Sequence, residues 1–346
     1  MTELASKVLT DPKVSKAPVD IDIDSIVVDI CFHPARDAIA AGTIDGEVKI
    51  YSYSVDSTNH ELMTLDHHKK SCRALCFSED GTLLFSASKD KSLQVVDMNT
   101  GSVTSKMMNA HKSPIYSLLV IDNYLIATGD DDGYFKLWDY RRETAIMEAK
   151  NSEEFISDLT TNSEKKFVLA TSGEGTLTAF NIRAKRMELQ SELFESEFLS
   201  MAVVKNENKL AVGTGEGAIN IFNWGEWGNI SDRFPGHPMS IDTIVAISDD
   251  VVCTGSMDGV IRAVHILPNR FLGIVGNHDE FPIENMSLSR DGKFLASCSH
   301  DQKIKFWNIS CLDDVEEDPN VKPKHKNKKK KLASTRQADF FAGLAD

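Results

Sequence analysis

Apolar and polar positions alternate along this chain in a block that recurs about every 42 residues. Val48, Leu93, Phe135, Leu177, Ile219, Ile261 and Ile304 are each followed two residues later by an apolar residue: Ile50, Val95, Leu137, Ala179, Ile221, Ala263 and Phe306. The residue between is polar every time: Lys49, Gln94, Lys136, Thr178, Asn220, Arg262 and Lys305. A period of two belongs to a β-strand, whereas a helix repeats its apolar face at spacings of three and four. Three residues ahead of each block stands an acid, Asp45, Asp90, Asp132, Glu174, Glu216, Asp258 or Asp301, and five of the seven precede a glycine. Six residues before the acid lies Ile39, Leu84, Ile126, Val168, Leu210, Val252 or Leu295. Each unit therefore predicts a strand, a tight acidic turn and a second strand.

Six residues after each acid comes Tyr51, Val96, Trp138, Phe180, Phe222, Val264 or Trp307. The following residue is Asp or Asn in five cases, and Trp138-Asp139 spells the WD dipeptide itself. His68, His111, His237 and His278 mark the starts of four units; Asn151 and Glu195 stand at about that place in the fourth and fifth. This period with these marks is the signature of a WD-repeat β-propeller blade. The expectation is an all-β, seven-bladed propeller over residues 19–312. Its last blade has room for three strands after the final connection, so Val19, Ile21 and Ile23, alternating with aspartates, should supply the fourth and close the ring. Residues 1–18 and the acidic-then-basic segment 313–346 lack the material for a core and are expected to be disordered.

Composition narrows the class. Forty-one percent hydrophobic and 26% charged residues, with no long apolar run, suit a soluble domain without a membrane partner. The N-terminus lacks the apolar stretch of a secretory signal. Six scattered cysteines without a C-x-x-C pair read as reduced thiols, and no metal site or cofactor is expected. The net charge of −14 already includes seven lysines, Lys322, Lys324, Lys326, Lys328, Lys329, Lys330 and Lys331. An acidic body repels phosphate, so any weak RNA contact should fall to this basic run, which also reads as a nuclear or nucleolar localisation signal or as a plain solvated tail. Phe340, Phe341 and Leu344 form a short apolar cluster that could dock on a partner.

No phosphate loop, H-E-x-x-H or G-x-S-x-G motif occurs, and no catalytic residue is expected. The turn acids have a structural role available, accepting hydrogen bonds from turn amides. They share one end of the ring, so that face should be negative and attractive to a basic peptide. The histidines should bond within their own blades. Trp224 and Trp227 fall outside the repeat and read as packing residues or surface anchors. Trp138-Asp139-Tyr140-Arg141 matches the W-D-x-R box by which some propellers engage the adaptor of cullin-RING ubiquitin ligases, with the arginine fork offered to a partner.

The segments CFHPARD (31–37), CRALCFSEDG (72–81), IATGDDDG (126–133), CTGSMDGVIRAVHILPNR (253–270), HDQKIKFW (300–307) and ADFFAGL (338–344) resemble the WD repeat-containing protein 55 family from about residue 19 to the end. The resemblance implies a non-enzymatic nuclear and largely nucleolar scaffold for ribosomal RNA production and ribosome biogenesis, with pre-ribosomal or nucleolar protein partners; the propeller itself is expected to be monomeric. It also admits a second role as substrate receptor of a cullin-RING ubiquitin ligase, onto which Trp138, Asp139 and Arg141 map.

Overall fold

The computed structural model describes residues 8–9, 16–142, 144–150 and 152–312. Among them, twenty-eight strands form seven four-stranded antiparallel sheets, six of them simple meanders of consecutive strands. Blade one comprises Val27–Phe32, Ala38–Thr43, Glu47–Ser52 and His60–Asp66, and the pattern repeats to blade seven. The first strands of successive blades lie side by side around a central channel, and that of blade seven returns to that of blade one. Ile21–Asp22 completes blade seven by pairing with Lys303–Asn308, Ile21 opposite Ile304 and Asp22 opposite Lys303. The N-terminal strand and the last blade are thus joined by backbone hydrogen bonds, and the ring has no open sheet edge at its seam.

The repeated apolar positions account for the packing. Ile39, Leu84, Ile126, Val168, Leu210, Val252 and Leu295 are all fully buried, as are Val48, Leu93, Leu177, Ile219, Ile261 and Ile304. Burial of one such side chain stabilises the fold by roughly 1.5–3 kcal/mol, and the clusters they form span neighbouring blades, so no blade is stable by itself. Phe135 of blade three stacks on Phe180 of blade four with ring centroids 3.9 Å apart. The polar residue between the apolar pair is buried or half-buried. Gln94, Lys136 and Lys305 reach inward to the carbonyls of His67, Ala110 and Asn277, each one residue before a blade's histidine. The tight turns need a left-handed residue: Gly133 has φ +78°, and a Cβ there would lie 2.1 Å from the Ser152 carbonyl oxygen. Where the sequence departs from glycine, Lys91 and Gln302 adopt the same conformation, at φ 71° and 62°.

Candidate functional site

Three arrangements could carry function: the network inside the blades, the channel, and the corner around Arg141. In blade three the network is a directed chain. Trp138 Nε1–H donates to Thr128 Oγ1 at 2.8 Å, and that hydroxyl meets His111 Nε2 at 2.7 Å. His111 Nδ1 lies 2.8 Å from Asp130 Oδ2. A neutral histidine protonated on Nδ1 satisfies all of these at once. Burial holds His111 below its ordinary pKa, consistent with that form. Blade seven repeats the chain as Trp307, Ser297, His278 and Asp301. In blade two, His68 bonds Ser86 and Ser92 and lies 3.4 Å from Asp90, and burial pushes its pKa down to about 4.

The turn acids divide in their partners. Asp90 accepts from the amides of Lys69 and Ser92 and from the Ser92 hydroxyl, and it is held at about 2. Asp258 accepts from Val260 N–H and from both ends of the Arg262 fork. Asp301 accepts from Lys303 N–H. Glu174 takes the Ser152 hydroxyl and Glu153 N–H, Asp45 takes the Ser25 hydroxyl, and Glu216 pairs with Arg233 at 2.8 Å. Asp132 does not follow the expectation. It is exposed, and its own N–H donates to Asp130, which also accepts Tyr134 N–H. The structural acid of blade three is therefore Asp130, two residues earlier, at a position held in the other blades by Thr43, Ser88, Ser172, Thr214, Ser256 and Ser299, all buried.

The channel is lined by a feature that sequence reasoning missed. Each first strand carries a bulge at its second residue, and the residue after it faces the neighbouring blade. Asp29 accepts from Leu75 N–H of blade two and from the Asn285 amide of blade seven. Asp158 accepts Met201 N–H at 2.7 Å, Ser117 donates to the Ile156 carbonyl at 2.9 Å, and Ser200 donates to that of Ile241 at 3.0 Å. These bonds tie blade to blade around a cavity of about 720 Å³. Burial pushes Asp29 and Asp158 up to about 7 and Asp242 to about 6.

The end of the ring that bears the acidic turns is not uniformly negative. Asp131, Asp132, Glu153, Glu154, Glu174, Glu195, Glu197 and Glu216 crowd blades three to five, while Lys69, Lys70, Lys89, Lys91 and Lys112 belong to blades one to three. Arg73 bridges the two sets, pairing with Asp131 at 2.6 Å and lying over the Tyr116 ring. Tyr116 is exposed in blade three at the edge of this acidic crescent, and Met257 and Phe281 are exposed farther round the ring, in blade six and ahead of blade seven.

The W-D-x-R box lies at the opposite end, where third strands lead to fourth. Trp138 and Asp139 are buried, and only Arg141 of the three is exposed. Its fork is gripped by Asp139, Nε to Oδ1 at 2.8 Å and Nη2 to Oδ2 at 2.7 Å, and its Cζ lies 3.8 Å from the centroid of the Tyr124 ring. The guanidinium holds Asp139 at about 2. The arginine is thus fixed in one pose on the surface rather than free to search. Trp227 is buried against Phe167 and Trp224, a packing role. Among the described residues no three His, Cys, Asp or Glu side chains gather as a metal site. Lys322, Lys324, Lys326, Lys328, Lys329, Lys330, Lys331, Phe340, Phe341 and Leu344 lie outside the described residues.

Comparison with known proteins agrees with this geometry. The WDR55 family model matches residues 18–312, the span of the propeller. The chain is 43% identical over 338 residues to WD repeat-containing protein 55 of Bos taurus, covering 96% of this chain and 88% of that one. The Homo sapiens protein of the same name gives the same figures. The homolog from Drosophila willistoni is 42% identical over 339 residues, covering 96% of this chain and 67% of that one. With seven closed blades and this similarity along nearly all its length, the chain belongs to the WD repeat-containing protein 55 family.

Proposed function

We propose that this protein is a non-enzymatic scaffold of the nucleus and nucleolus that supports ribosomal RNA synthesis or processing and ribosome biogenesis by holding protein partners on a rigid ring. The observation that carries this reading is the pairing of two features in one chain. A propeller closed by its own N-terminal strand offers fixed surfaces at both ends, and seven lysines between 322 and 331 supply a basic address that the acidic body lacks. The acidic crescent over blades three to five supplies a surface for a basic partner segment. Purification from cells at moderate salt, with and without ribonuclease, should recover pre-ribosomal or nucleolar proteins. Deleting residues 313–346 should leave the circular dichroism of the body intact but spread the protein out of the nucleolus. Unchanged nucleolar residence of the deletion would sink the role given to the tail.

A second reading, as substrate receptor of a cullin-RING ubiquitin ligase, is favoured by the fixed pose of Arg141 against Asp139 and Tyr124. A preformed fork loses little entropy on meeting an acceptor. Arg141→Ala should abolish capture of the ligase adaptor while the circular dichroism of the propeller stays as it was. Capture that survives the substitution removes this reading.

A further inference from the structure

We propose that the end of the ring bearing the acidic turns is a dimerisation face, on which a second copy of this chain brings the basic partner of the crescent; this rests on the crescent being a docking surface and names what docks there. Each turn between second and third strands lies beside the connection to the next blade. A Cβ on Gly46 would lie 2.6 Å from the Lys70 carbonyl oxygen, one on Gly175 2.6 Å from that of Ser196, and one on Gly259 2.7 Å from that of Phe281. Turns on blades and connections between blades therefore alternate around this end. Charge follows them in sectors. Lys69 and Lys70 stand between blades one and two, Lys89 on blade two and Lys112 between blades two and three, all exposed. Exposed Glu154 stands between blades three and four, half-buried Glu174 on blade four, and exposed Glu195 and Glu197 between blades four and five. Blade three divides the two sets, at the turn where Arg73 pairs with Asp131.

In a ring of seven, the point opposite one blade is the junction of two others. Opposite blade three is the junction of blades six and seven, where Phe281 stands about half exposed, at 47%. A twofold axis lying between two facing rings, and running from blade three to Phe281, exchanges the sectors. It sets Lys69 and Lys70 of one copy over Glu195 and Glu197 of the other, Lys89 over Glu174 and Lys112 over Glu154, each pairing made twice. Phe281 meets its own counterpart on the axis, so apolar surface falls on apolar surface at the far end. An axis through blade two would instead stack lysine on lysine, and one through blade four glutamate on glutamate. Opposite charges thus fix the rotation of one ring upon the other and steer its approach. A contact of this isologous kind closes at two copies. The single ring expected from the repeat is then the form that high salt favours.

The test is sedimentation velocity of the full chain. At low ionic strength the wild type should sediment at twice the chain mass, and 1 M sodium chloride, where charges are screened beyond about 3 Å, should shift it towards the single chain. The double variant Lys69→Glu with Lys70→Glu should be monomeric, and so should Glu195→Lys with Glu197→Lys. Both should keep the wild-type circular dichroism, because all four side chains are exposed. An equimolar mixture of the two variants should sediment as a dimer again, since each reversed sector then meets its opposite on the partner. A wild type that stays monomeric at low salt overturns the proposal, as does a dimer that survives both reversals or a mixture that stays monomeric. If the wild type is monomeric and reversal of Glu195 and Glu197 still costs the recovery of nucleolar proteins, the dimer alone falls and the crescent keeps its place as a docking surface.

Discussion

Blades two, three, six and seven differ from blades one, four and five at several positions together. The first group carries His68, His111, His237 and His278, each bonded to a buried hydroxyl on the second strand: Ser86, Thr128, Thr254 and Ser297. In the second group that strand position is apolar, Ala41, Val212 or Ala170, and a serine stands near the histidine's place: Ser25, Ser196 or Ser152. The Ser25 and Ser152 hydroxyls donate to the turn acids Asp45 and Glu174, whereas Ser196 accepts Glu216 N–H. A buried histidine without its hydroxyl, or the hydroxyl without its histidine, would leave polar atoms unpaired at about 1–3 kcal/mol each. The exchanges therefore come as sets, and a blade is either pinned by a polar chain or packed dry.

The largest contrast should appear when the acid is removed from each type. Asp130→Ala orphans His111 Nδ1–H and the amides of Asp132 and Tyr134 inside blade three, an expected loss of about 3 kcal/mol. Glu174→Ala frees a serine hydroxyl and one exposed amide that water can serve, an expected loss under about 1 kcal/mol. Urea unfolding of the two variants measures the difference. Equal losses would mean that the polar chain contributes nothing beyond the turn.

Acid should separate the groups next. Burial lowers His68 and His237 to about 4 in the fold, against 6.5 unfolded, so below pH 6.5 the unfolded chain binds more protons. The stabilisation is full above 6.5 and is lost as pH falls towards 4, at about 2 kcal/mol for each by pH 5. Asp29 and Asp158, raised to about 7, act in the opposite sense, because the fold binds the extra protons and gains as pH falls. Whole-molecule stability mixes the two signs. Amide exchange resolved by blade, at pH 7 and pH 5, should show blades two and six opening more easily relative to blades four and five. A uniform change around the ring would break the comparison.

Much of this division is legible in the sequence, because it rests on residues at fixed offsets within one repeat. Period-two alternation places the strands, the acid-glycine pairs place the turns, and the shortfall after Trp307 places the closing strand. What stays hidden depends on contacts that exist only after the ring closes. Asp29 and Asn285 are 256 residues apart, and nothing local marks either one. Spacing and the following Gly133 single out Asp132 as the turn acid of blade three, so the role of Asp130 stays hidden. What sets position 130 apart is that every other blade has a serine or threonine there, which cannot take a histidine proton as a carboxylate does. The lysines that stand among the turn acids in blades one to three are hidden for a related reason, since the repeat fixes where turn acids stand but says nothing of the residues beside them.

The finest test rebuilds the chemistry of blade four inside blade three. Thr128→Ala removes the acceptor of Trp138 Nε1–H and the partner of His111 Nε2, an expected loss of about 2 kcal/mol. Trp138→Phe removes the donor and some packing volume, as Phe180 does natively beside Ala170. In the double variant the indole N–H that Thr128→Ala would strand no longer exists. The combined loss should therefore fall short of the sum of the two by about 1 kcal/mol in a double-mutant cycle. Additive losses would show that the hydroxyl serves the histidine alone. In that case tryptophan and phenylalanine at this position would differ only in size, and the two blade types would be joined by packing rather than divided by hydrogen bonding.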